Sequence, residues 1–379
     1  MDRFYMDHNA TTPIAPEVAE AMQPFIFEHF GNPSSGHRLG QRTRQAVEEA
    51  RGQVARLLDC TPAEVVFTSG GSESNNMALK GVAYTYRGEG NHIITSRIEH
   101  PAVLNPCRFL EKNGYEVTYL PVDGYGVVDP DSVRRAITPQ TILISIMLAN
   151  NEVGTIQPIA EIGQIARERG VLFHTDAAQA VGKIPINVKA LHVDFLSVAG
   201  HKFYAPKGVG ALYIREGVRI EPLIHGAGHE QGRRAGTENV ILDVALGEAA
   251  EIALQRMERD GEYIRGLRDK LHHLLDEKVG GVILNGHPER RLPNTLNISF
   301  EGILGSELLG EMEGVFASTG SACHDRSGEL SGVLAAMEVP QSIGFGAIRF
   351  SLGRGNTEEE ITYVTDLIGE KVRRMRVRH

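Results

Sequence analysis

The sequence predicts an α/β protein with a mostly parallel sheet in a large domain, followed by a smaller α+β domain. Short apolar runs that suit buried strands alternate with longer stretches that suit helices as far as residue 240. Beyond that point a long helical stretch replaces the alternation. The chain has 379 residues, 41% of them hydrophobic, which is enough to bury two cores. We expect a large domain over 15–255 and a small domain over 1–14 and 256–379, with the boundary inside the long helix.

The predicted elements follow one another in an order typical of a parallel sheet covered by helices on both faces. Helices are predicted over 17–30, 41–58, 73–86 and 102–113, and strands over 64–67, 92–95 and 141–148. A helix over 159–169 precedes strands at 171–173 and 193–196. A long helix over 240–275, strands at 296–300 and 347–352, and a final helix from Thr357 complete the pattern.

Polar residues follow two neighbouring strands of this predicted sheet. Asp176 and Lys202 lie 26 positions apart, and each comes shortly after an apolar stretch. Both should emerge at the same edge of the sheet, where open α/β folds bind ligands. A lysine there can form a Schiff base with a carbonyl cofactor, and an aspartate can hold a pyridinium nitrogen protonated, which suits pyridoxal 5'-phosphate. The structural alternative is a solvated lysine and a helix-capping aspartate.

Two glycine-rich turns are candidates for phosphate binding. The turn over 69–72 joins a strand to a helix, so the free N–H groups of the helix start could hold an anion. It lacks the Gly-Lys-Ser/Thr ending of a nucleotide P-loop, which argues against a nucleotide. The glycines over 207–212 follow Lys202 on the way into a strand and are interpreted as a tight turn.

The charge and hydropathy patterns exclude several kinds of partner. The net charge of -9 argues against a general polyanion binder, so no direct nucleic-acid partner is expected. The basic run over 371–378 is expected to favour the negative end of a closing helix, with a docking surface for an acidic partner as the alternative. The longest useful apolar run, 142–149, is too short to span a bilayer, and the N-terminus lacks a signal-peptide core. No membrane association is expected.

The three cysteines make neither a disulfide framework nor a zinc pattern, so we expect no metal and a reducing, cytoplasmic location. Cys60 and Cys107 fall in segments where a packing role is expected. Cys323 instead opens a polar, glycine-containing segment, which predicts an exposed thiol. Such a thiol reacts as its thiolate, and His324 and Arg326 could lower its pKa.

Ten motifs in order along the chain resemble those of the cysteine desulfurases of the NifS/IscS type, within the class V aminotransferase fold family. They are the residues 6–13, 31–35, 67–76, 99–100, 150–154, the segments around Asp176 and Lys202, and the residues 234–237, 318–323 and 348–354. The resemblance implies the fold type I of pyridoxal-phosphate-dependent transferases. It also implies a homodimer that takes L-cysteine as substrate.

The resemblance assigns a role to each matching residue. Lys202 is similar to the lysine that bears the cofactor, Asp176 to the partner of its ring nitrogen, Gln179 to the group facing its phenolic oxygen, and His100 to the imidazole stacked on the ring. Gly71, Ser72 and His201 match phosphate contacts, Thr237 matches a phosphate contact from the other subunit, and Asn151 matches both a cofactor and a substrate contact. Asn32 and Arg349 match the remaining substrate contacts, with Arg349 offering a fork for a carboxylate. A departure is Ala199, where relatives commonly have a phosphate-binding serine.

Each of three assignments has a structural alternative. His100 could simply cap the helix after Pro101, and Arg349 could be an interior ion pair on a strand. Thr237 could be an ordinary N-cap ahead of Glu238.

The chemistry implied by the resemblance is conversion of L-cysteine to L-alanine. Lys202, displaced from the cofactor by the substrate, moves the Cα proton, and the Cys323 thiolate takes the sulfur as a persulfide for delivery to an acceptor or scaffold protein. Iron-sulfur cluster assembly, tRNA thiolation and DNA sulfur modification all draw on this enzyme type, and the sequence does not choose between them.

Three alternatives stay open at this point. The run 322–325 resembles selenocysteine lyases, which share the fold and the cofactor, although the long segment between Cys323 and Arg349 resembles the first desulfurase class. An aminotransferase of the same fold would need no cysteine. A non-enzymatic assembly scaffold is disfavoured by the intact Lys202 and Asp176 motifs.

Overall fold

The computed structural model describes residues 4–319 and 330–378. Its strands are β1 (Phe4–Tyr5), β2 (Val65–Thr68), β3 (His92–Ser96), β4 (Glu116–Leu120), β5 (Thr141–Ser145), β6 (Leu172–Asp176), β7 (Phe195–Ala199), β8 (Gly210–Ile214), β9 (Val282–Asn285), β10 (Thr295–Phe300), β11 (Val315–Phe316) and β12 (Ala347–Ser351). Its helices are α1 (Pro16–Phe27), α2 (Arg38–Leu58), α3 (Gly71–Thr85), α4 (Pro101–Glu111), α5 (Pro130–Ala136), α6 (Ile159–Arg169), α7 (Val240–Val279), α8 (Gly305–Glu311), α9 (Gly332–Ala336), α10 (Gln341–Gly344) and α11 (Glu358–Arg378).

The large sheet has seven strands in the order β2-β8-β7-β6-β5-β3-β4. The strands from β4 to β7 pair in parallel, as predicted, whereas β8 is antiparallel to both β7 and β2. Only the ten residues 200–209 join β7 to β8. A parallel return needs a crossover of a dozen residues or more, so this short connection makes an antiparallel hairpin.

Both faces of the large sheet are covered. Successive side chains of a strand point to opposite faces, so neighbouring residues of a strand should pack in different cores. In β2, Val65 and Phe67 pack in one hydrophobic core and Val66 packs in another. Phe173 of β6 and Phe195 of β7 are fully buried and belong to these two different cores. The prediction of a sheet with helices on both faces is confirmed.

A separate core lies among β10, β12, α11 and the second half of α7. The helix α7 serves both regions, since Ile252 packs in a core of the large sheet and Ile264 packs in the separate core. The domain limits themselves stay a prediction. Among the described helices, none combines the length and apolar character that crossing a bilayer requires.

Candidate active site

A cavity of about 730 Å³ opens at the carboxyl ends of β5, β6 and β7, within the size range of small-molecule sites. It brings together most of the residues that the sequence predicts to form the site. The cavity is lined by Gly71, Ser72, His100, Asn151, Asp176, Gln179, His201, Lys202 and Arg349. These residues come from segments spread between positions 71 and 349, and the fold brings them into one cavity.

Asp176 is the last residue of β6 and is paired with Ser197 of the parallel strand β7. Its side chain is buried and its two oxygens accept different donors. Oδ2 accepts from Asn75 Nδ2 at 2.7 Å and Oδ1 from the Ala178 backbone N–H at 2.9 Å. The carboxylate is therefore fixed in position at the wall of the cavity. The sequence alone predicts no role for Asn75, which lies on α3.

Lys202 ends the short turn that follows β7, and its amine reaches back to the N-terminal segment. Nζ donates to the carbonyls of Asn9 and Ala10 at 2.6 and 2.9 Å. Burial, followed by the positive charge of Arg349, lowers the pKa of Lys202 to about 8. Since only the neutral amine attacks a carbonyl, this shift makes the reactive form available near neutral pH.

The turn before α3 has the features of an anion cradle. Gly70 has a φ of 142°, a conformation that favours glycine, and the first turn of α3 leaves backbone N–H donors without intrahelical acceptors. A Cβ placed on Gly71 would stand 3.3 Å from the Cβ of Ala199, so the methyl group of Ala199 lies directly behind the turn. A methyl group offers no hydrogen bond, so Ala199 cannot supply the phosphate contact that the resemblance gives to a serine.

Glu73 ties this turn to a distant segment of the chain. Its Oε2 accepts from the Ser69 backbone N–H at 2.7 Å, and its Oε1 pairs with Nε of Arg234 at 2.9 Å. Arg234 opens the motif that ends at Thr237. The ion pair therefore connects the candidate phosphate-binding turn with the segment that the resemblance places at the partner subunit.

The two histidines of the site are neutral near pH 7. Burial lowers the pKa of His100, and the charge of Lys202 lowers it further. Burial and the charge of Lys202 lower the pKa of His201 to about 4. His100 also caps α4, since its Nδ1 accepts from the Ala102 backbone N–H at 3.1 Å. The cap interpretation and the cavity placement both hold, and the cap bond leaves the imidazole proton on Nε2.

Glu99, next to His100, belongs to one of the motifs but has no predicted role, and the structure makes it a buried acid at the cavity. Oε1 accepts from the Ser96 hydroxyl at 2.6 Å and from the Met147 backbone N–H at 3.0 Å. Oε2 is buried and has no hydrogen-bond partner among the described residues. Burial raises the pKa of Glu99 to about 8, so the carboxyl group keeps its proton at neutral pH.

Arg349 lies on β12 and is buried, as the interior ion-pair interpretation expected. It pairs with Asp7 Oδ1 at 2.5 Å through one terminal nitrogen and donates to the Asn151 carbonyl at 3.0 Å through the other. Its Nε has no hydrogen-bond partner among the described residues. Because Arg349 also lines the cavity, the guanidinium keeps donor capacity for an anion there.

Three predicted site residues are not in this group. Asn32 and Thr237 are exposed and lie outside the lining of the cavity formed by this single chain. Thr237 is not an N-cap either, because Asn239 caps α7 and accepts from the Leu242 backbone N–H. That alternative is wrong. Cys323, with His324 and Arg326, lies outside the described residues.

The residues present fit pyridoxal 5'-phosphate. A lysine with a lowered pKa, a fixed carboxylate at the neighbouring strand end and a helix start with small residues suit its aldehyde, ring nitrogen and phosphate respectively. Within 4–319 and 330–378, no cluster of three or more His, Cys, Asp or Glu side chains is arranged to hold a metal ion.

This fold and site define a protein of the class V aminotransferases. The family model described as "Aminotransferase class-V" matches residues 4–364, and the chain belongs to this family. It is 52% identical over 374 residues to "Cysteine desulfurase IscS" of Dictyoglomus turgidum (strain DSM 6724 / Z-1310), covering 98% of this chain and 95% of that relative.

Two solved structures share the architecture. The "NIFS-LIKE PROTEIN" has a TM-score of 0.92 and 42% identity, covering 97% of this chain and 98% of that one. "SspA in complex with cysteine" has a TM-score of 0.83 and 38% identity, covering 93% of this chain and 100% of that one. The resemblance to the NifS/IscS type and the predicted fold type I are confirmed.

Proposed function

We propose that the protein is a pyridoxal-phosphate-dependent cysteine desulfurase that converts L-cysteine to L-alanine and retains the sulfur on an enzyme cysteine. The observation that carries this proposal is the placement of Asp176 and Lys202 at adjacent strand ends, in one cavity with Arg349. Support comes from the relative named cysteine desulfurase and from the similar structure that contains cysteine.

The cofactor, when bound, supplies an electron sink for the carbon that loses a proton. Lys202 would hold it covalently and Asp176 would keep its ring nitrogen protonated, because the Asp176 oxygens are already fixed by Asn75 and Ala178. Gly71, Ser72 and His201 would bind the phosphate. The neutral ring of His100 would pack against the cofactor, and Asn151 and Gln179 would hold its edge.

The substrate carboxylate is assigned to Arg349, with Asn151 and Asn32 as further contacts. An incoming carboxylate would share the guanidinium with Asp7, so binding would draw on the N–H donors that Asp7 and the Asn151 carbonyl leave free. The released Lys202 amine, with its pKa of about 8, then serves as the base that removes the Cα proton.

The sulfur acceptor in this proposal is Cys323. Its thiolate forms a bond to the substrate sulfur as the carbon–sulfur bond of the substrate breaks. The electron pair of the broken bond stays with the carbon, which takes up a proton, and the product is released as alanine. The enzyme keeps the sulfur atom as a persulfide, and an external thiol or an acceptor protein later accepts that sulfur. The two described cysteines do not suit this role, since burial raises the pKa of both Cys60 and Cys107 to about 12.

We also propose an oligomeric state, a location and a sulfur acceptor for the protein. The exposed position of Thr237, outside the cavity of its own chain, supports a homodimer in which it reaches the partner's phosphate. Cys60 and Cys107 are free thiols, which supports a reducing cytoplasm. The sulfur would pass to an acceptor or scaffold protein. The selenocysteine lyase alternative is not favoured, because the named relative is a cysteine desulfurase.

The test is turnover of L-cysteine by the cofactor-loaded protein in the presence of a thiol reductant. We expect equal amounts of alanine and sulfide from wild type, almost none from Cys323→Ala, and wild-type amounts from the control Cys60→Ala. Full alanine formation by Cys323→Ala would instead favour a lyase of the same fold, whereas consumption of L-cysteine by that variant without alanine would favour an aminotransferase.

A further inference from the structure

Lys183 lies behind the site, in the turns that follow β6, and the proposed chemistry gives it no role. Its Nζ donates to Gln179 Oε1 at 2.8 Å and to Asn9 Oδ1 at 3.2 Å. No acidic side chain among the described residues forms an ion pair with it. A half-buried lysine that donates to two neutral amides instead of a carboxylate calls for an explanation.

These contacts decide which way the Gln179 amide faces. A lysine amine, charged or neutral, has at least two N–H donors, and an amide oxygen only accepts. With Oε1 turned to Lys183, Nε2 of Gln179 donates to the Asn9 carbonyl at 2.9 Å. The same carbonyl accepts from Lys202 at 2.6 Å. A flipped amide would place an oxygen against the Asn9 carbonyl and an NH₂ group against Lys183.

Asn9 is held in the same manner but with more support. Its Oδ1 accepts from Asn294 Nδ2 at 2.9 Å as well as from Lys183, and its Nδ2 donates to Thr295 Oγ1 at 2.9 Å and to the Asn151 carbonyl at 3.2 Å. These bonds remain when Lys183 is removed. Removal of the Lys183 amine should therefore affect mainly the orientation of the Gln179 amide, because no other donor among the described residues bonds to its Oε1.

We propose that Lys183 is a positioning residue that fixes the Gln179 amide with its N–H donor toward the Asn9 carbonyl and the cavity. This inference rests on the proposed function, because the resemblance assigns Gln179 to the phenolic oxygen of the cofactor. That oxygen requires a donor. The structural alternative is a lysine that only fills space beside the small cavity it shares with His8, Tyr204 and Lys202.

The experiment removes the donor and keeps the volume. Lys183→Met, Gln179→Leu and the double variant are compared with wild type for the affinity of the apoprotein for pyridoxal 5'-phosphate and for the pH dependence of the visible absorption of the loaded protein. Lys183→Arg should restore the donor, since the adjacent cavity of about 50 Å³ has room for the larger side chain. The exposed Lys189→Met is the matched control.

We expect Lys183→Met to weaken cofactor affinity about 3- to 10-fold, the effect of one hydrogen bond. The pH midpoint of its visible absorption should move in the same direction as that of Gln179→Leu. The double variant should have the cofactor affinity and pH midpoint of Gln179→Leu alone. Lys183→Arg and Lys189→Met should behave as wild type. If Lys183→Met does not fold, Lys183→Ala removes the same donor and is interpreted in the same manner.

Two results would overturn the inference while leaving the proposed function intact. One is a Lys183→Met protein with wild-type affinity and pH midpoint. The other is an equal loss of affinity on removing Lys183 in the presence and absence of Gln179. A wild-type protein that neither binds the cofactor nor absorbs in the visible range would overturn the proposed function, and the role of Lys183 with it.

Discussion

Asp176 and Lys202 stand at the carboxyl ends of neighbouring parallel strands, with Asp176 paired to Ser197 and Lys202 three residues beyond the end of β7. The sheet register therefore brings the two residues to the same edge of the sheet. Burial and the charge of Arg349 then lower the pKa of Lys202 to about 8. The pair has the placement that a carbonyl cofactor with a basic ring nitrogen requires, and the lowered pKa of Lys202 makes its neutral amine available.

The first prediction concerns the covalent role of Lys202. We expect Lys202→Ala, purified with added pyridoxal 5'-phosphate, to lose the visible absorption of the lysine-bound cofactor and all alanine formation. Spectra and turnover of the exposed Lys189→Ala should match those of wild type. A Lys202→Ala protein with an unchanged spectrum would show that another amine bears the cofactor.

The second prediction tests the bond between Asn75 and Asp176. Asn75→Ala removes a donor to a buried carboxylate, and a hydrogen bond to a charged group contributes about 1.5 to 3 kcal/mol. We expect kcat/KM for L-cysteine to fall roughly 10- to 100-fold. Asn113→Ala, at an exposed helix end, is the control. Wild-type kinetics in Asn75→Ala would mean that Asp176 needs no support from α3.

A third prediction follows from the fork of Arg349. Arg349→Lys keeps a positive charge but loses the paired donors, so we expect KM for L-cysteine to rise about tenfold or more with little change in cofactor affinity. The exposed Arg219→Lys should leave both values unchanged. A loss of cofactor affinity without a change in KM would assign Arg349 to the cofactor instead of the substrate.

The fourth prediction uses the protonated state of Glu99. Its pKa is raised from an ordinary value near 4.5 to about 8, so the folded protein binds the extra proton and stability falls as pH rises through this window. Glu99→Gln removes this dependence. We expect the free energy of unfolding of the variant, relative to wild type, to increase between pH 4.5 and 8, by at most about 1.4 kcal/mol per pH unit.

Chemical denaturation of the two apoproteins across this pH range measures the difference. A pH-independent difference would mean that Glu99 is already ionised in the folded protein at neutral pH. The same experiment on Glu338→Gln, at an exposed position, provides the baseline.

The sequence predicts the alternation of strands and helices because the hydrophobic periodicity of each element is local. It places Asp176 and Lys202 correctly for the same reason, since each polar residue follows its own apolar strand. The edge strand β4 is missed because its residues are mostly half-exposed and carry no clear apolar run. The predicted strand over 141–148 ends at Ser145, and the helix predicted to reach Phe30 ends at Phe27.

The supporting residues of the site could not be predicted from local patterns. Asn75 and Asp176 are 101 positions apart, and Asn9 and Lys202 are 193 apart. No periodicity links such distant segments, and an asparagine in a polar motif has many equally good roles. Lys183 is missed in the same manner, because only the folded chain shows that its partners are amides and not carboxylates.

The central claim is that sulfur from L-cysteine passes to Cys323 at a site built on Asp176 and Lys202. Its most direct measurement is a single turnover of the loaded protein without reductant, followed by mass spectrometry of its peptides and quantification of alanine. We expect one alanine per active site and one additional sulfur atom on the peptide that contains Cys323. Alanine release with no sulfur on that peptide, or no alanine at all, would contradict the claim.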